Sequence, residues 1–170
     1  GTVIIRSHGV GKEIYEKIKK KNLKLIDATC PYVKSIQNKV EKYHNKGYTI
    51  IIVGDSDHPE VKGVNGWCEN KAKVIFTKEE AKNFKTDENV CVVAQTTIIE
   101  ALFDDITNII KDNCANVVIF NTICNATSVR QEEASLIASE VEAMVVVGDT
   151  HSSNTKKLVE ISKSKCDNVF

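Results

Sequence analysis

Ile50-Ile51-Ile52-Val53-Gly54-Asp55-Ser56-Asp57-His58-Pro59-Glu60 is the stretch that sets the fold class. Four consecutive β-branched residues with no polar alternation make a short strand covered on both faces, the pattern of a parallel sheet. Gly54 and Asp55 then turn the chain into a polar loop. The same phrase returns as Val145-Val146-Val147-Gly148-Asp149-Thr150-His151-Ser152-Ser153-Asn154. Each glycine stands 24 positions after a cysteine, Cys30 before Gly54 and Cys124 before Gly148. The cysteines have matching surroundings, Asp27-Ala28-Thr29-Cys30-Pro31 and Asn121-Thr122-Ile123-Cys124-Asn125-Ala126-Thr127. A repeat of this length predicts similar small domains, each with one thiol and one cluster of polar side chains at strand ends.

Outward from these stretches, strand and helix patterns alternate. Val3 to Ile5, Leu23 to Ile26, Lys73 to Phe76, Val90 to Val93, Val117 to Phe120 and Met144 to Val147 read as further buried strands. Helical spacing joins Ile14, Tyr15 and Ile18; then Val33, Ile36, Val40 and Tyr43; and then Ile98, Leu102, Phe103, Ile106, Ile109 and Ile110. Leu136, Ile137 and Val141 predict the apolar face of a helix after Cys124, and Leu158, Val159 and Ile161 that of the last one. Pro31 suits a first helical turn and Gly47 a helix stop. His58 to Glu60 reads as loop. The expected class is α/β: three-layer units with short, mostly parallel sheets in pseudo-repeated domains.

Composition narrows the function. Of the 170 residues, 42% are apolar and 27% charged, as in an ordinary folded domain, and 23 basic against 23 acidic residues leave no net charge. No charge excess marks a nucleic-acid or membrane partner. No apolar run approaches the roughly 18–20 residues of a spanning helix, and no signal-peptide pattern is present, so the expected location is the cytoplasm. The chain opens inside an apolar run and closes on Asn168-Val169-Phe170, the pattern of a segment of a longer protein. None of the six cysteines forms a C-x-x-C pair, which argues against a zinc ribbon. Cys68, Cys91, Cys114 and Cys166 read as buried packing thiols.

In parallel α/β sheets, ligands bind beyond the carboxyl ends of the strands. His8, Cys30, His58, Glu60, Gln95, Thr96, Cys124, Ser152, Ser153 and Asn154 all follow such ends. Cys30 and Cys124 precede helices, where the positive dipole end favours a thiolate able to hold a soft metal or act as nucleophile. Ser152, Ser153 and Asn154 open a helix and make either a phosphate cradle or an ordinary N-cap. Glu60 can act as a general acid and His8 and His58 can contact phosphate, or His58 to Glu60 form a solvated loop and His8 simply packs. Three readings fit these residues: a redox enzyme with a soft metal on the thiols, a non-redox module binding a phosphorylated small molecule, and a mononuclear zinc hydrolase using Cys30, Cys124, His8 and His58.

Six stretches separate these readings. Arg6-Ser7-His8-Gly9-Val10, Asp27-Ala28-Thr29-Cys30-Pro31, His58-Pro59-Glu60-Val61, Gln95-Thr96-Thr97, Thr122 to Thr127 with Arg130-Gln131, and Ser152-Ser153-Asn154 occur in this order. Together they resemble the 4-hydroxy-3-methylbut-2-enyl diphosphate reductases, the terminal enzymes of the methylerythritol phosphate route to isoprenoids. The resemblance implies three α/β domains around a central 4Fe-4S cluster, with Cys30 and Cys124 as two of its three cysteine ligands. It implies Glu60 as proton donor, and His8, His58, Thr96, Ser152, Ser153 and Asn154 as substrate contacts, mainly to the diphosphate. Gln95 would support a network between Thr96 and Glu60. Electrons would come from an external donor such as a ferredoxin or flavodoxin.

The resemblance also divides the chain: 1–30 as the end of a first domain, 31–121 as a second, and 122–170 as the start of a third. The family's first cysteine and one further histidine precede its Arg-x-His-Gly motif, and a Ser- and Gly-containing loop lies beyond the position of Phe170. The 170-residue segment by itself is therefore expected to be inactive. Turnover assayed under a strong reductant tests this; robust activity of the segment would refute it.

Overall fold

The computed structural model describes residues 1–170, which form two compact units: residues 1–95 with 103–122, and residues 96–102 with 123–170. Unit 1 contains two sheets, both wholly parallel. In the larger, four strands run in the order β4-β3-β5-β6, with β3 Thr49–Val53, β4 Lys73–Ile75, β5 Thr86–Ala94 and β6 Cys114–Phe120. The smaller pairs β1 (Thr2–Ile5) with β2 (Lys24–Asp27). Parallel neighbours require crossovers, and helices supply them. These are α1 (Lys12–Lys20), α2 (Pro31–His44), α3 (Pro59–Asn65), α4 (Lys78–Asn83) and α5 (Glu100–Asn113).

The core is what the isoleucine run predicts. Ile50, Ile51, Ile52 and Val53 are all buried, as are Val90, Cys91, Val92, Val93 and Ala94 of the adjacent strand. Ile50, Ile52, Cys91 and Val93 share one face of the sheet and cluster with Val33, Ile36 and Val40 of α2 and Val61 and Val64 of α3. Ile51 and Val92 project to the other face by the two-residue strand period. The helix after β5 buries Phe103, Ile106 and Ile110. Each buried Val, Ile or Phe side chain contributes about 1.5–3 kcal/mol on burial, so the β3–β5 pair and the helices packed on it are a large source of the stability of this unit.

The β1–β2 pair departs from expectation. Ile5 is buried, but Ile4 is 64% exposed and every residue of β2 is exposed. A two-stranded sheet leaves faces that no third strand or second helix layer covers, and apolar sequence alone cannot bury them. The loop after β1 is nevertheless tightly held. Gly9 has φ +68°, a conformation glycine adopts without a steric penalty. Trp67, in the short 3-10 turn Gly66–Cys68, donates its indole N–H to the Val10 carbonyl at 2.9 Å.

In unit 2, α6 (Asn125–Glu140) and α7 (Ser153–Lys163) pack together. Here the expected apolar face is wrong. Leu136, Ile137 and Val141 are exposed, whereas Thr127, Gln131, Ala134 and Ala138 are buried. The buried set also has helical spacing, but of small and polar residues that permit close approach, and the amide of Gln131 is bonded to the Ile98 carbonyl at 3.2 Å. Met144 to Val147 does not form the expected strand. It makes a single parallel bridge, Met144 to Val169, flanked by hydrogen bonds with Asn168 and Phe170. Membrane-spanning length and apolarity are found in no helix.

One close contact is testable. A Cβ on Gly66 would lie 2.5 Å from the Gly11 Cα, a backbone atom that cannot swing away. Gly66→Ala is expected to destabilise unit 1 by about 1–3 kcal/mol, the usual cost of overpacking, as measured by urea unfolding. An unchanged midpoint would show that the loop after β1 yields freely.

Candidate functional site

The strand ends of unit 1 are joined by short bonds. Beyond β3, Gly54 leaves room for Gln95: a Cβ at Gly54 would come within 2.8 Å of the glutamine side chain. Gln95 follows β5 and is buried; its N–H donates to the Val53 carbonyl at 2.9 Å, and its Oε1 accepts the Asp55 N–H at 3.0 Å. That pair fixes the exit of the chain toward His58. Asp55 then accepts the Asp57 N–H through its carboxylate at 2.8 Å, and its carbonyl accepts the His58 N–H at 3.1 Å.

His58 is the N-cap of α3, its Nδ1 accepting the Glu60 N–H at 3.2 Å. Pro59 occupies the first helical position, where its missing N–H costs nothing. The segment expected as loop is therefore helix from Pro59 onward, and Glu60 is a buried helical carboxylate, only 2% exposed. The cap and the proline start the helix two residues earlier than hydrophobic periodicity alone suggests. His8, beyond β1, meets His58 edge to face with ring centroids 5.5 Å apart, and its Nδ1 is buried without a hydrogen-bond partner. Two imidazoles, a buried carboxylate and one unpartnered ring nitrogen thus share one place in unit 1.

Cys30 is the N-cap of α2, held by donation of its N–H to the Ser7 carbonyl at 3.0 Å. Its thiol is free, partly exposed and makes no capping bond. Cys124 occupies the same place in unit 2, as the N-cap of α6, again free, partly exposed and without a side-chain cap bond. Its N–H donates to the Thr96 carbonyl at 3.0 Å. Ser152 caps α7 by accepting the Thr155 N–H at 3.3 Å, and the hydroxyls of Ser153 and Thr97 are 2.9 Å apart. Asn154 has a buried Oδ1 with no partner. Unit 2 therefore gathers Thr96, Cys124, Ser153 and Thr97, the last through its hydroxyl. Nothing in the spacing distinguishes Thr97 from Thr96.

The other cysteines behave as packing thiols. All four are buried; burial raises the Cys68 thiol and pushes that of Cys91 up to about 12. No three His, Cys, Asp and Glu side chains converge as a metal-binding group. The donor set nevertheless suits a thiolate-held cluster: two unencumbered thiols, each at the positive end of a helix.

The fold is that of a parallel α/β protein, with uncapped thiols at two equivalent strand-to-helix turns and, in each unit, a buried polar atom lacking a partner. The whole chain, residues 1–170, matches the LytB protein family model, and the chain belongs to that family. It is 51% identical over 168 residues to the 4-hydroxy-3-methylbut-2-enyl diphosphate reductase of Caldanaerobacter subterraneus subsp. tengcongensis, covering 99% of this chain and 58% of that protein. It is 52% identical over 161 residues to the reductase of Clostridioides difficile, covering 94% and 58%. Among solved structures, the reductase of Plasmodium falciparum matches with a TM-score of 0.91 at 28% identity, over 99% of this chain and 54% of that one. The chain thus spans about three fifths of the length of the curated relatives it first matches.

His58 provides a pH test. Burial pushes its imidazole below the ordinary value of 6.5, and His8 adds to this, against the pull of Glu60 and Asp55. The unfolded chain therefore takes up this proton before the folded one does. Stability from neutral His58 is complete above pH 6.5 and falls as the pH drops through 6.5 toward the lower folded value. His58→Asn keeps an N-cap and should flatten that part of the pH–stability profile, read by urea unfolding between pH 7.5 and 5. Equal slopes in both proteins would exclude His58 as the source.

Proposed function

We propose that this chain is the larger part of a reductase that removes the hydroxyl of 4-hydroxy-3-methylbut-2-enyl diphosphate to form isopentenyl and dimethylallyl diphosphate. The observation carrying the reading is the pair of free, partly exposed thiols at equivalent helix N-termini, Cys30 and Cys124, in a chain that matches the LytB family throughout. The reaction breaks one C–O bond; two electrons and two protons enter, and the oxygen leaves as water. Cys30 and Cys124 would hold a 4Fe-4S cluster together with a third ligand from outside these 170 residues. Bound there, such a cluster supplies the electrons and a Lewis-acidic iron.

The remaining steps fall to side chains. Burial favours neutral His58 in the ligand-free protein, so an arriving diphosphate, by its charge, would draw a proton onto it. His8, with its unpartnered Nδ1, would give a second contact to the anion. Ser152, Ser153 and Asn154 open α7, whose first-turn N–H groups favour anionic oxygen, and the orphaned Asn154 Oδ1 marks a site completed by a ligand. Glu60, buried on α3, would hold and deliver the proton at its carboxyl oxygen. Gln95 fixes the Gly54–Asp55 exit that aims His58 and Glu60, and Thr96 ties its backbone to the Cys124 turn. A small external electron carrier, a ferredoxin or flavodoxin, would supply reducing equivalents in the cytoplasm. The three-domain division at residues 30 and 121 follows the same reading.

The deciding experiment uses the full-length protein purified and reconstituted without oxygen. About four irons and four sulfides per chain are expected, sharply reduced in Cys30→Ser. Glu60→Gln should retain iron and lose about 10²–10⁴-fold in turnover, the usual worth of a general acid. No iron in the reconstituted wild type would leave a phosphate-binding module without redox chemistry.

A further inference from the structure

Asp27 ends β2 and Lys34 lies one turn into α2, so the two flank the turn that carries Cys30. The Asp27 carboxylate closes that turn from both sides. Its Oδ1 accepts the N–H of Thr29 at 3.1 Å and the Thr29 hydroxyl. Its Oδ2 accepts Lys34 Nζ at 2.9 Å and the Tyr15 hydroxyl at 3.0 Å. Lys34 Nζ also donates to the Tyr15 hydroxyl at 3.2 Å and lies 4.6 and 5.3 Å from the ring centroids of Tyr15 and Trp67. Those rings meet edge to face at 5.6 Å, and Trp67 is anchored to Val10. Backbone bonds complete the frame: Ala28 N–H to the Ile5 carbonyl, Cys30 N–H to Ser7, and Lys34 N–H to Cys30 itself.

This is more than a surface ion pair. An exposed Lys–Asp contact contributes little, and the side chains here are 36% and 28% exposed. What differs is saturation: one carboxylate at a strand end takes four donors, two from the Thr29 turn and one from each of two helices. The turn before the other cysteine is composed differently. Asn121 stands three residues before Cys124 where Asp27 precedes Cys30, and Ser128 stands where Lys34 would be. There the Thr122 hydroxyl joins the Ala94 N–H and carbonyl at 2.8 and 2.6 Å.

We propose that Asp27, Lys34 and Tyr15 are positioning residues for the Cys30 thiol, a charged clamp across the strand-to-helix turn that holds this ligand in place before metal arrives. The metal half of the statement rests on the reading of Cys30 as a cluster ligand; the clamp itself does not. Outer partners of metal ligands typically contribute about 10–100-fold in metal affinity, which sets the expected scale.

The test uses the full-length protein, wild type and the variants Asp27→Asn, Lys34→Met, Lys34→Arg and Tyr15→Phe. Two rates are measured: iron loss to an excess of a ferrous chelator from the reconstituted protein, and amide hydrogen exchange in the metal-free protein. Asp27→Asn and Lys34→Met should lose iron about 10–100-fold faster, and Lys34→Arg should stay within about twofold of wild type. Exchange at residues 28–30 should rise about tenfold, with the turn at residues 122–124 unchanged. Wild-type rates in both variants would overturn the clamp, as would faster exchange spread evenly over the chain, which signals lost global stability only. If either variant fails to fold, Tyr15→Phe, which removes one hydroxyl, must show the same local pattern at smaller size. If the wild type takes up no iron, the ligand reading fails, and the exchange pattern alone still decides the clamp.

Discussion

Parallel pairing of β3 with β5 is the constraint on which unit 1 depends. The register places Val53 beside Ala94, so the two strands end side by side and Gly54 faces Gln95. Nine buried residues on the two strands hold that register, and a slip of one residue would turn the core face of either strand outward. With the register set, the Gln95 side chain reaches Asp55, and the chain leaves β3 in the direction that makes His58 a helix cap and buries Glu60. The chemistry-bearing side chains are placed by hydrophobic pairing that none of them joins.

The two cysteines show how a repeated framework acquires different local supports. Both sit where a strand, β2 or β6, gives way to a helix, and both leave the capping position to the backbone. A helix start normally recruits a Ser, Thr, Asp or Asn side chain to satisfy its first N–H groups. A thiol does this poorly, so cysteine at two such positions forgoes cap stability of about 0.5–2 kcal/mol each. At His58, Thr77 and Ser152 the caps are made by side chains, whereas α1, like the two cysteine-led helices, starts without one, at Gly11.

Much of this architecture is legible in one dimension. The apolar runs mark β3, β5 and β6, and Pro31 marks the helix that begins beside it. The failures share a cause. Leu136, Ile137 and Val141 look like a helix face because hydrophobicity is the usual guide, yet α6 buries alanine, threonine and glutamine instead. Which side of a helix is covered depends on the neighbour that tertiary structure supplies. Ile4 and β2 are exposed for the same reason: a strand is buried by what is laid over it.

The candidate residues divide along the same line. Local spacing alone places Cys30, Cys124 and Ser152 at helix starts, because caps, proline and strand length act over a few residues, but it leaves His58 in a loop where the structure makes it a helix cap. The meeting of His8 with His58, the bond from Gln95 to Asp55, the contact of Thr97 with Ser153, and the cage of Tyr15, Asp27, Lys34 and Trp67 span separations of 7 to 56 positions. No periodicity encodes such pairs. By itself the sequence determined the class of fold, the strand cores and the turns that bear the thiols; only the tertiary structure decided which side chains face one another there, since packing sets those distances and local propensity does not.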